Sequence, residues 1–283
     1  MESRTEYNPE AYKKAIENEY TIIDKNKQEV SFVLNKAQQH LNEQMGKYYD
    51  IVILKARKMG FSSFVLAVAV TKWLYGINER CVSVSFDKTA GEKQLERAKH
   101  FIKSWELRNN TKIPMKYNSK HELVYEGTGP DGRPYTNTLR IGSARSASFG
   151  RGDDITFLHV TEVAFCPDMD ALLSGVGEAC VANTHRIFET TADGFNDFKE
   201  FYDAAERGEN GWKALFYGPE WEYTPEFLAE KKRRLGRMFI QEYPPTAEQA
   251  FLTSGECFFD TMVLSRMLET SVKDPISQSH EYV

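Results

Sequence analysis

A chain of 283 residues is long enough to bury one large core, with or without a small appendage. Its 41% hydrophobic and 27% charged residues are ordinary for a globular protein, and its longest apolar run, Phe64–Val70, is too short to span a bilayer. The net charge of −5 does not favour nucleic-acid binding, and the scattered cysteines, without a CxxC pair, argue against a zinc site or a disulfide framework.

In chain order, the sequence predicts two helices and then an alternation of buried strands with helices. This alternation is typical of a mainly parallel sheet that is covered by helices on both faces, and it predicts an α/β fold. The predicted helices are Pro9–Glu19, Asn35–Met45, Ser62–Tyr75, Lys88–Leu107, Ala171–Ala182, Asn196–Gly208 and Glu220–Arg237, and the predicted strands are Ile51–Leu54, Cys81–Ser85, Leu123–Tyr125, Leu139–Gly142, Ile155–Val160, His185–Thr190 and Lys213–Phe216.

The loop Lys55–Ser63 joins a predicted buried strand to a predicted helix, which is the setting of a phosphate-binding loop. Against the pattern GxxxxGK[ST], Gly60 takes the second glycine position and Ser62 the magnesium-binding hydroxyl, but Phe61 replaces the lysine. Cations within the loop would then supply the missing charge, and an ordinary strand–helix turn with surface cations is the alternative. The predicted nucleotide-binding residues are Lys55, Ala56, Arg57, Lys58, Met59, Gly60, Phe61, Ser62 and Ser63.

The predicted strand Ile155–Val160 ends at Thr161 and Glu162, a pattern that resembles a Walker B motif. A carboxylate at this place can activate the attacking water, and a neighbouring Asp normally binds Mg²⁺. Here the Asp position is Thr161, whose hydroxyl can only order a metal-bound water. We therefore predict Glu162 as the catalytic residue and Ser62, Thr161 and Glu162 as the Mg²⁺ site. The alternative is a strand that ends in a solvated glutamate.

Three further segments carry weaker signals. Thr190 and Thr191 follow a buried strand and can contact a γ-phosphate or the catalytic water, although the same residues also suit a simple turn. The glycine-rich loop before the Walker B-like strand contains two arginines. Arg151 is the first candidate for an arginine finger and Arg145 the second, and the alternative is that they are surface arginines. The amide of Gln38 can pair with adenine or be merely exposed.

The tail contains a concentrated basic run, Lys231–Arg234. It has two interpretations of equal weight, a solvated helix face and a surface that contacts phosphate groups.

Taken in order, these segments resemble the N-terminal ATPase domain of the large terminase subunit of tailed bacteriophages, over about Phe32–Phe259. The resemblance rests on the Gln38 segment, on KARKMGFSS, GRG, LHVTEVAF and ETTADG, and on QEYPPTAEQAFLTSG (Gln241–Gly255). It implies a three-layer α/β sandwich, a P-loop NTPase of the RecA-like (ASCE) type. The implied parts are an ATPase core over residues 1–195, a small lid over 196–255 and a linker over 256–283.

The resemblance also implies a function. ATP and Mg²⁺ would drive double-stranded DNA through a portal protein into a procapsid, together with the small terminase subunit. By position, Glu162 would activate water, residues 190–192 would couple hydrolysis to motion, Gln38 would bind adenine, and Arg151 would act in trans within a ring, expected to be a pentamer on the portal. The expected location is the cytoplasm of the infected host, without a membrane partner and outside the mature virion.

Two other functions stay open. One is a helicase-like ATPase stimulated by nucleic acid, which would share the sheet and the role of Gln38. The other is a degenerate ring scaffold that does not hydrolyse ATP, and the two departures from the family pattern, at Phe61 and Thr161, support it. Because the acidic cluster of the family's nuclease domain is not visible in the sequence, we expect no nuclease activity from these residues. A plasmid-nicking assay with Mg²⁺ or Mn²⁺ tests that expectation.

Overall fold

The computed structural model describes residues 7–24, 26–144 and 154–253, together with Met267 and Thr270. The predicted arginine-finger positions Arg145 and Arg151 lie outside the described residues, as does most of the predicted linker 256–283. Among the described residues, no helix combines the length and the apolar character that crossing a membrane requires.

The chain folds into a central sheet of eight strands, with a separate two-stranded sheet near its beginning. The strands are β1 (Thr21–Ile23), β2 (Glu29–Ser31), β3 (Asp50–Lys55), β4 (Arg80–Ser85), β5 (Met115–Asn118), β6 (Glu122–Thr128), β7 (Pro134–Ser143), β8 (Ile155–Thr161), β9 (Cys180–Thr190) and β10 (Lys213–Tyr217). The helices are α1 (Pro9–Glu19), α2 (Lys36–Met45), α3 (Phe61–Tyr75), α4 (Lys88–Arg108), α5 (Met169–Leu172), α6 (Asp197–Glu206), α7 (Pro225–Leu235), α8 (Phe239–Glu242) and α9 (Ala247–Thr253).

The order of strands across the central sheet is β10-β3-β9-β8-β4-β7-β6-β5. The strands from β10 to β7 are parallel, and β6 and β5 extend this sheet as an antiparallel edge. The predicted α/β fold with a mainly parallel sheet is therefore confirmed. Three short strands without a buried residue, β1, β2 and β5, were not predicted from the sequence.

Apolar side chains of the strands point alternately into two cores, one on each face of the sheet. Along β3, Ile51 and Ile53 join the core that includes α3 and α4, whereas Val52 and Leu54 join the core that includes α6. This alternation follows from the period of two in a strand. The three-layer arrangement predicted from the sequence follows from it.

Helix α3 is almost entirely buried, and Phe64–Val70 is inaccessible to solvent. A helix that is apolar on all sides needs partners on all sides. The sheet covers one side of α3, and α1 and α4 pack against the rest. This burial fixes the beginning of α3, and thus the loop before it, against the sheet.

Two predicted helices were partly wrong. The helix predicted over Ala171–Ala182 ends early: α5 passes into a π-helical turn at Leu173–Gly177, and β9 begins at Cys180, which pairs with Ile155 of β8. Two glycines in this segment weaken the helix, and the ladder with β8 stabilises the strand. Helix α7 begins only at Pro225, because Thr224 caps its first turn.

The boundary predicted after residue 195 does not coincide with an edge of the sheet. Helix α6 packs into the core with Phe198 and Tyr202, and β10 pairs with β3 as the outer strand of the sheet. Residues 218–253 follow the last strand and form short helices. The lid predicted over residues 196–255 stays a proposal.

Candidate active site

The residues predicted from three distant segments meet at the carboxyl edge of the sheet. Strands β3, β9 and β8 are neighbours, and they end at nearly the same level: Leu54 pairs with Thr190, and Thr161 pairs with Glu189. In parallel sheets, ligands bind in the crevice outside this edge. A cleft of about 420 Å³ lies there, lined by Lys55, Arg57, Lys58, Phe86, Glu162, Phe165 and Thr191.

Lys55 is the last residue of β3, and its side chain is only 6% exposed. Its Nζ lies 3.5 Å from Oε1 of Glu162 and 3.2 Å from Oε2 of Glu189. Burial by itself lowers the pKa of Lys55, but the carboxylates of Glu189 and Glu162 outweigh it and raise that pKa above its usual value. The lysine is therefore a buried cation between two carboxylates.

Glu162 has a strained backbone and a loosely bound side chain. Its φ of 53° lies in the left-handed region, and its N–H donates to the carbonyl of Glu189 at 2.7 Å. Its carboxylate accepts contacts from Lys55, from the hydroxyls of Thr190 and Thr191 and from the Thr191 N–H, each at 3.5 Å. These distances exceed those of good hydrogen bonds, so little energy fixes the carboxylate in this position.

The loop between β3 and α3 turns through two left-handed residues, Lys58 (φ 60°) and Gly60 (φ 76°). Gln38 supports it from α2: its Nε2 donates to the Gly60 carbonyl at 2.9 Å, and its Oε1 accepts from the Asn35 N–H at 3.0 Å. Both ends of the Gln38 amide are thus engaged in the protein. Adenine binding by Gln38 stays a prediction, and it would require exchange of these bonds.

We expect Gly60→Ala to destabilise the protein more than Gly132→Ala does. Each change places alanine at a left-handed residue, which costs about 1–2 kcal/mol. At Gly60 the new Cβ also lies 2.7 Å from Nε2 of Gln38, whereas nothing lies within 4 Å at Gly132. Losing the Gln38 bond adds about 0.5–1.5 kcal/mol, measurable as a lower free energy of unfolding in denaturant. Equal destabilisation of the two variants would contradict the role of Gln38 as a support of the loop.

Phe61 does not take the place of a phosphate-binding lysine. Its ring is 1% exposed and packs against Tyr217 at 4.6 Å between centroids, in the core and away from the cleft. Only its backbone N–H, in the first turn of α3, can contribute to anion binding. The side chain of Phe61, in the predicted nucleotide-binding set, is therefore corrected to a core side chain.

Helix α3 begins at this loop, and its N-cap, Gly60, offers no side chain to its first-turn N–H groups. The backbone N–H groups of residues 61–63 can therefore bind a phosphate, and the helix dipole favours its negative charge. The Ser62 hydroxyl lies 3.3 Å from that of Thr161 at the end of β8. These two hydroxyls lie next to Glu162, and their role in a Mg²⁺ site stays a prediction.

No group of three or more His, Cys, Asp or Glu side chains that could bind a metal occurs among residues 7–24, 26–144 and 154–253. The donor set here, two hydroxyls and one carboxylate, fits a magnesium ion that keeps most of its water and binds substrate phosphates. It does not fit a resident metal bound by the protein alone.

The segment after β10 contacts the loop directly. The hydroxyl of Tyr223 donates to the carbonyls of Arg57 and Lys58 at 3.1 Å, and Arg57 pairs with Glu242 at 3.3 Å. Arg57 is 52% exposed, in contrast to buried Lys55, so the two loop cations have different environments. The sequence analysis did not find Tyr223 or Glu242, because nothing local marks them.

The sequence analysis also missed two fully buried polar residues, Glu189 and His159. Nε2 of His159 lies 3.4 Å from Oε1 of Glu189, and its Nδ1 lies 3.1 Å from Oγ of Ser83, which is 3.2 Å from the amide oxygen of Gln94. Burial by itself raises the pKa of Glu189, but Lys55 and His159 outweigh it and keep that pKa well below its usual range. The available signal was an ionisable residue inside each of two buried strands.

No protein-family model and no curated protein matches the sequence. Solved structures do match the fold. The large terminase ATPase domain of Thermus phage P74-26 matches with a TM-score of 0.58 and 16% identity, covering 72% of this chain and 89% of that one. A mutant of the same domain matches with a TM-score of 0.59 and 14% identity, covering 76% and 92%.

The large terminase of bacteriophage HK97 matches with a TM-score of 0.57 and 14% identity, covering 93% of this chain and 53% of that one. This chain thus spans about half the length of the HK97 protein. The chain has the α/β fold of phage large-terminase ATPase domains, as the sequence resemblance implied.

Proposed function

We propose that this protein is the ATPase motor of viral genome packaging, which couples ATP hydrolysis to the movement of double-stranded DNA into a procapsid. The observation that carries the proposal is the meeting of Lys55 and Glu162 at the carboxyl edge of the sheet, 3.5 Å apart and beside the beginning of α3. A cation for phosphate and a carboxylate for water are the two groups that hydrolysis of a phosphoanhydride needs most.

In this proposal, the phosphates bind to the first-turn N–H groups of α3 and to the cations Lys55, Arg57 and Lys58. Ser62 and Thr161 would hold Mg²⁺ or its water, and the ion would supply charge neutralisation at the phosphate oxygens. The carboxylate of Glu162 accepts the proton of the attacking water. Its contacts at 3.5 Å allow it to move toward that water without breaking a strong bond.

In this proposal Thr190 and Thr191, whose hydroxyls lie 3.5 Å from the Glu162 carboxylate, sense its movement and pass it to β9. Tyr223 and Glu242 connect the loop to residues 218–253, so a change at the phosphates would reach the proposed lid. Arg151 is proposed as the arginine finger that reaches the active site of a neighbouring subunit, which requires a ring. The proposed partners are portal protein, small terminase subunit and DNA, in the cytoplasm of the infected host and outside the mature virion.

Two observations favour the degenerate scaffold as a second candidate. The position of the phosphate-binding lysine is occupied by Phe61, which is buried in the core, and Thr161 lacks the charge of the usual aspartate. The scaffold needs no turnover, so ATP hydrolysis separates the two candidates.

We expect ATP turnover per molecule to rise with protein concentration and to rise further with double-stranded DNA and portal-bearing procapsids. The physical reason is the finger in trans, whose measured effects in other enzymes are about 10³–10⁵-fold. The measurement is phosphate release at increasing protein concentration. DNA-stimulated turnover that needs neither portal nor procapsid would favour a helicase-like ATPase, and no turnover at any concentration would favour the scaffold.

The exposed basic residues Lys232, Arg233 and Arg234 of α7 stay open to both interpretations made from the sequence. Arg234 pairs with Glu230 at 3.4 Å on the same helix, a contact that suits a solvated face.

A further inference from the structure

Two carboxylates flank the Lys55 ammonium, and they differ in how firmly they are fixed. Glu189 is fully buried and lies 3.2 Å from Nζ, whereas Glu162 is 30% exposed and lies 3.5 Å from it. The buried carboxylate has no route to solvent, whereas the exposed one faces the cleft. Only the Glu162 carboxylate can therefore move away from Lys55 at a low cost in free energy.

On its other side the Glu189 carboxylate faces His159, and the full burial of both side chains limits its movement. A carboxylate can only accept hydrogen bonds, so Nε2 of His159 carries the proton that faces Oε1 of Glu189. The opposite nitrogen of the ring contacts Ser83 of β4, and Ser83 contacts Gln94 of α4. All of these side chains are buried, which keeps the carboxylate in one orientation.

The position of Glu189 in the ladder between β8 and β9 also bears on its role. It pairs across the ladder with Thr161, the neutral residue at the place where a second acidic group would be expected. The negative charge that β8 lacks is thus present on β9, one strand away.

We propose that Glu189, oriented by His159, is the resident counter-ion of Lys55 and thereby frees the carboxylate of Glu162 to bind the attacking water. This inference rests on the proposed ATPase function and assigns a positioning role within that site. Because a buried ammonium must keep a partner, loss of the Glu189 charge leaves Glu162 as the nearest carboxylate and draws it to the lysine.

The proposal predicts a separation of turnover from binding. Glu189→Gln keeps the shape of the side chain but removes its charge, so Glu162 stays with Lys55 and kcat falls by about 100-fold, the low end of a general base contribution. ATP binding does not weaken, because the site becomes more positive by one charge. We therefore expect an equal or lower Kd for ATP. Glu189→Asp, which retains the charge, restores part of kcat.

The test measures kcat, the Kd for ATP and the thermal midpoint for these variants and for two histidine variants. His159→Gln is expected to lower kcat without raising Kd. His185→Gln is the matched control, because His185 is also a buried histidine, on β9, but contacts the Met45 carbonyl away from the cleft. It is expected to keep the kcat of the unchanged protein, whatever its effect on the thermal midpoint.

Wild-type kcat in Glu189→Gln, or a Kd raised along with the fall in kcat, would overturn the inference. Failure of the proposed function has a different signature: the unchanged protein does not hydrolyse ATP, or does so without Glu162. Without hydrolysis, the Kd for ATP still tests the inference, because weaker ATP binding by Glu189→Gln contradicts the role assigned to Glu189. Should Glu189→Gln not fold, Glu189→Asp and His159→Gln carry the same comparison.

Discussion

Glu162→Gln is expected to lower kcat for ATP hydrolysis by about 10²–10⁴-fold while ATP binding persists. The amide has nearly the shape of the carboxylate, but it cannot accept the proton of the attacking water. Phosphate binding depends on the loop cations and on the first turn of α3, which the change leaves in place. The measurement is phosphate release at saturating ATP, beside a direct titration of ATP binding.

Asp170→Asn is the matched control for this change. Asp170 is an exposed acid in the same segment of the chain, outside the cleft, and its neutralisation should leave kcat unchanged. Equal hydrolysis by Glu162→Gln and the unchanged protein would show that Glu162 is not the catalytic carboxylate or that the activity belongs to a contaminant.

Lys55→Met is expected to cost about 3–5 kcal/mol in the free energy of unfolding, because it leaves the fully buried Glu189 without its cation. It should also weaken ATP binding, since the only buried cation lining the cleft among the described residues is lost. Methionine is unbranched and only one atom shorter than lysine, so packing changes little. The measurements are denaturant unfolding and ATP titration.

The double variant Lys55→Met with Glu189→Gln separates the two effects. Removing both charges removes the uncompensated carboxylate, so most of the lost stability should return. ATP binding should stay weak, because the cation is still missing. Recovery of ATP binding in the double variant would mean that Lys55 acts on stability alone and that Arg57 or Lys58 supplies the phosphate charge.

Much of the fold could be predicted from local patterns. Strand and helix periods depend on neighbours within a few residues, and the buried strands β3, β4 and β8 and the helices α1 to α4 occur where the sequence predicts them. The segment after α5 was harder. A π-helical turn and the first residues of β9 are stabilised by pairing with β8, which a local pattern does not contain.

The sequence by itself determined the alternation of strands and helices, the strand–loop–helix setting of Lys55 and the acidic end of the strand before Glu162. Each of these depends on residues close together in the chain. The tertiary structure decided which charges meet. Lys55 and Glu162 are 107 residues apart, and only the order β3-β9-β8 brings them together with Glu189 between their strands.

The same reason explains the partners of Phe61 and Gln38. Phe61 fits the pattern of a loop residue in the sequence, but packing against Tyr217 places its ring in the core. Adenine binding by Gln38 stays a prediction, and the tertiary structure adds a bond from its amide to the Gly60 carbonyl that supports the loop. Strand order and core packing depend on contacts between residues that are far apart in the chain. These contacts determine what each of these two side chains touches.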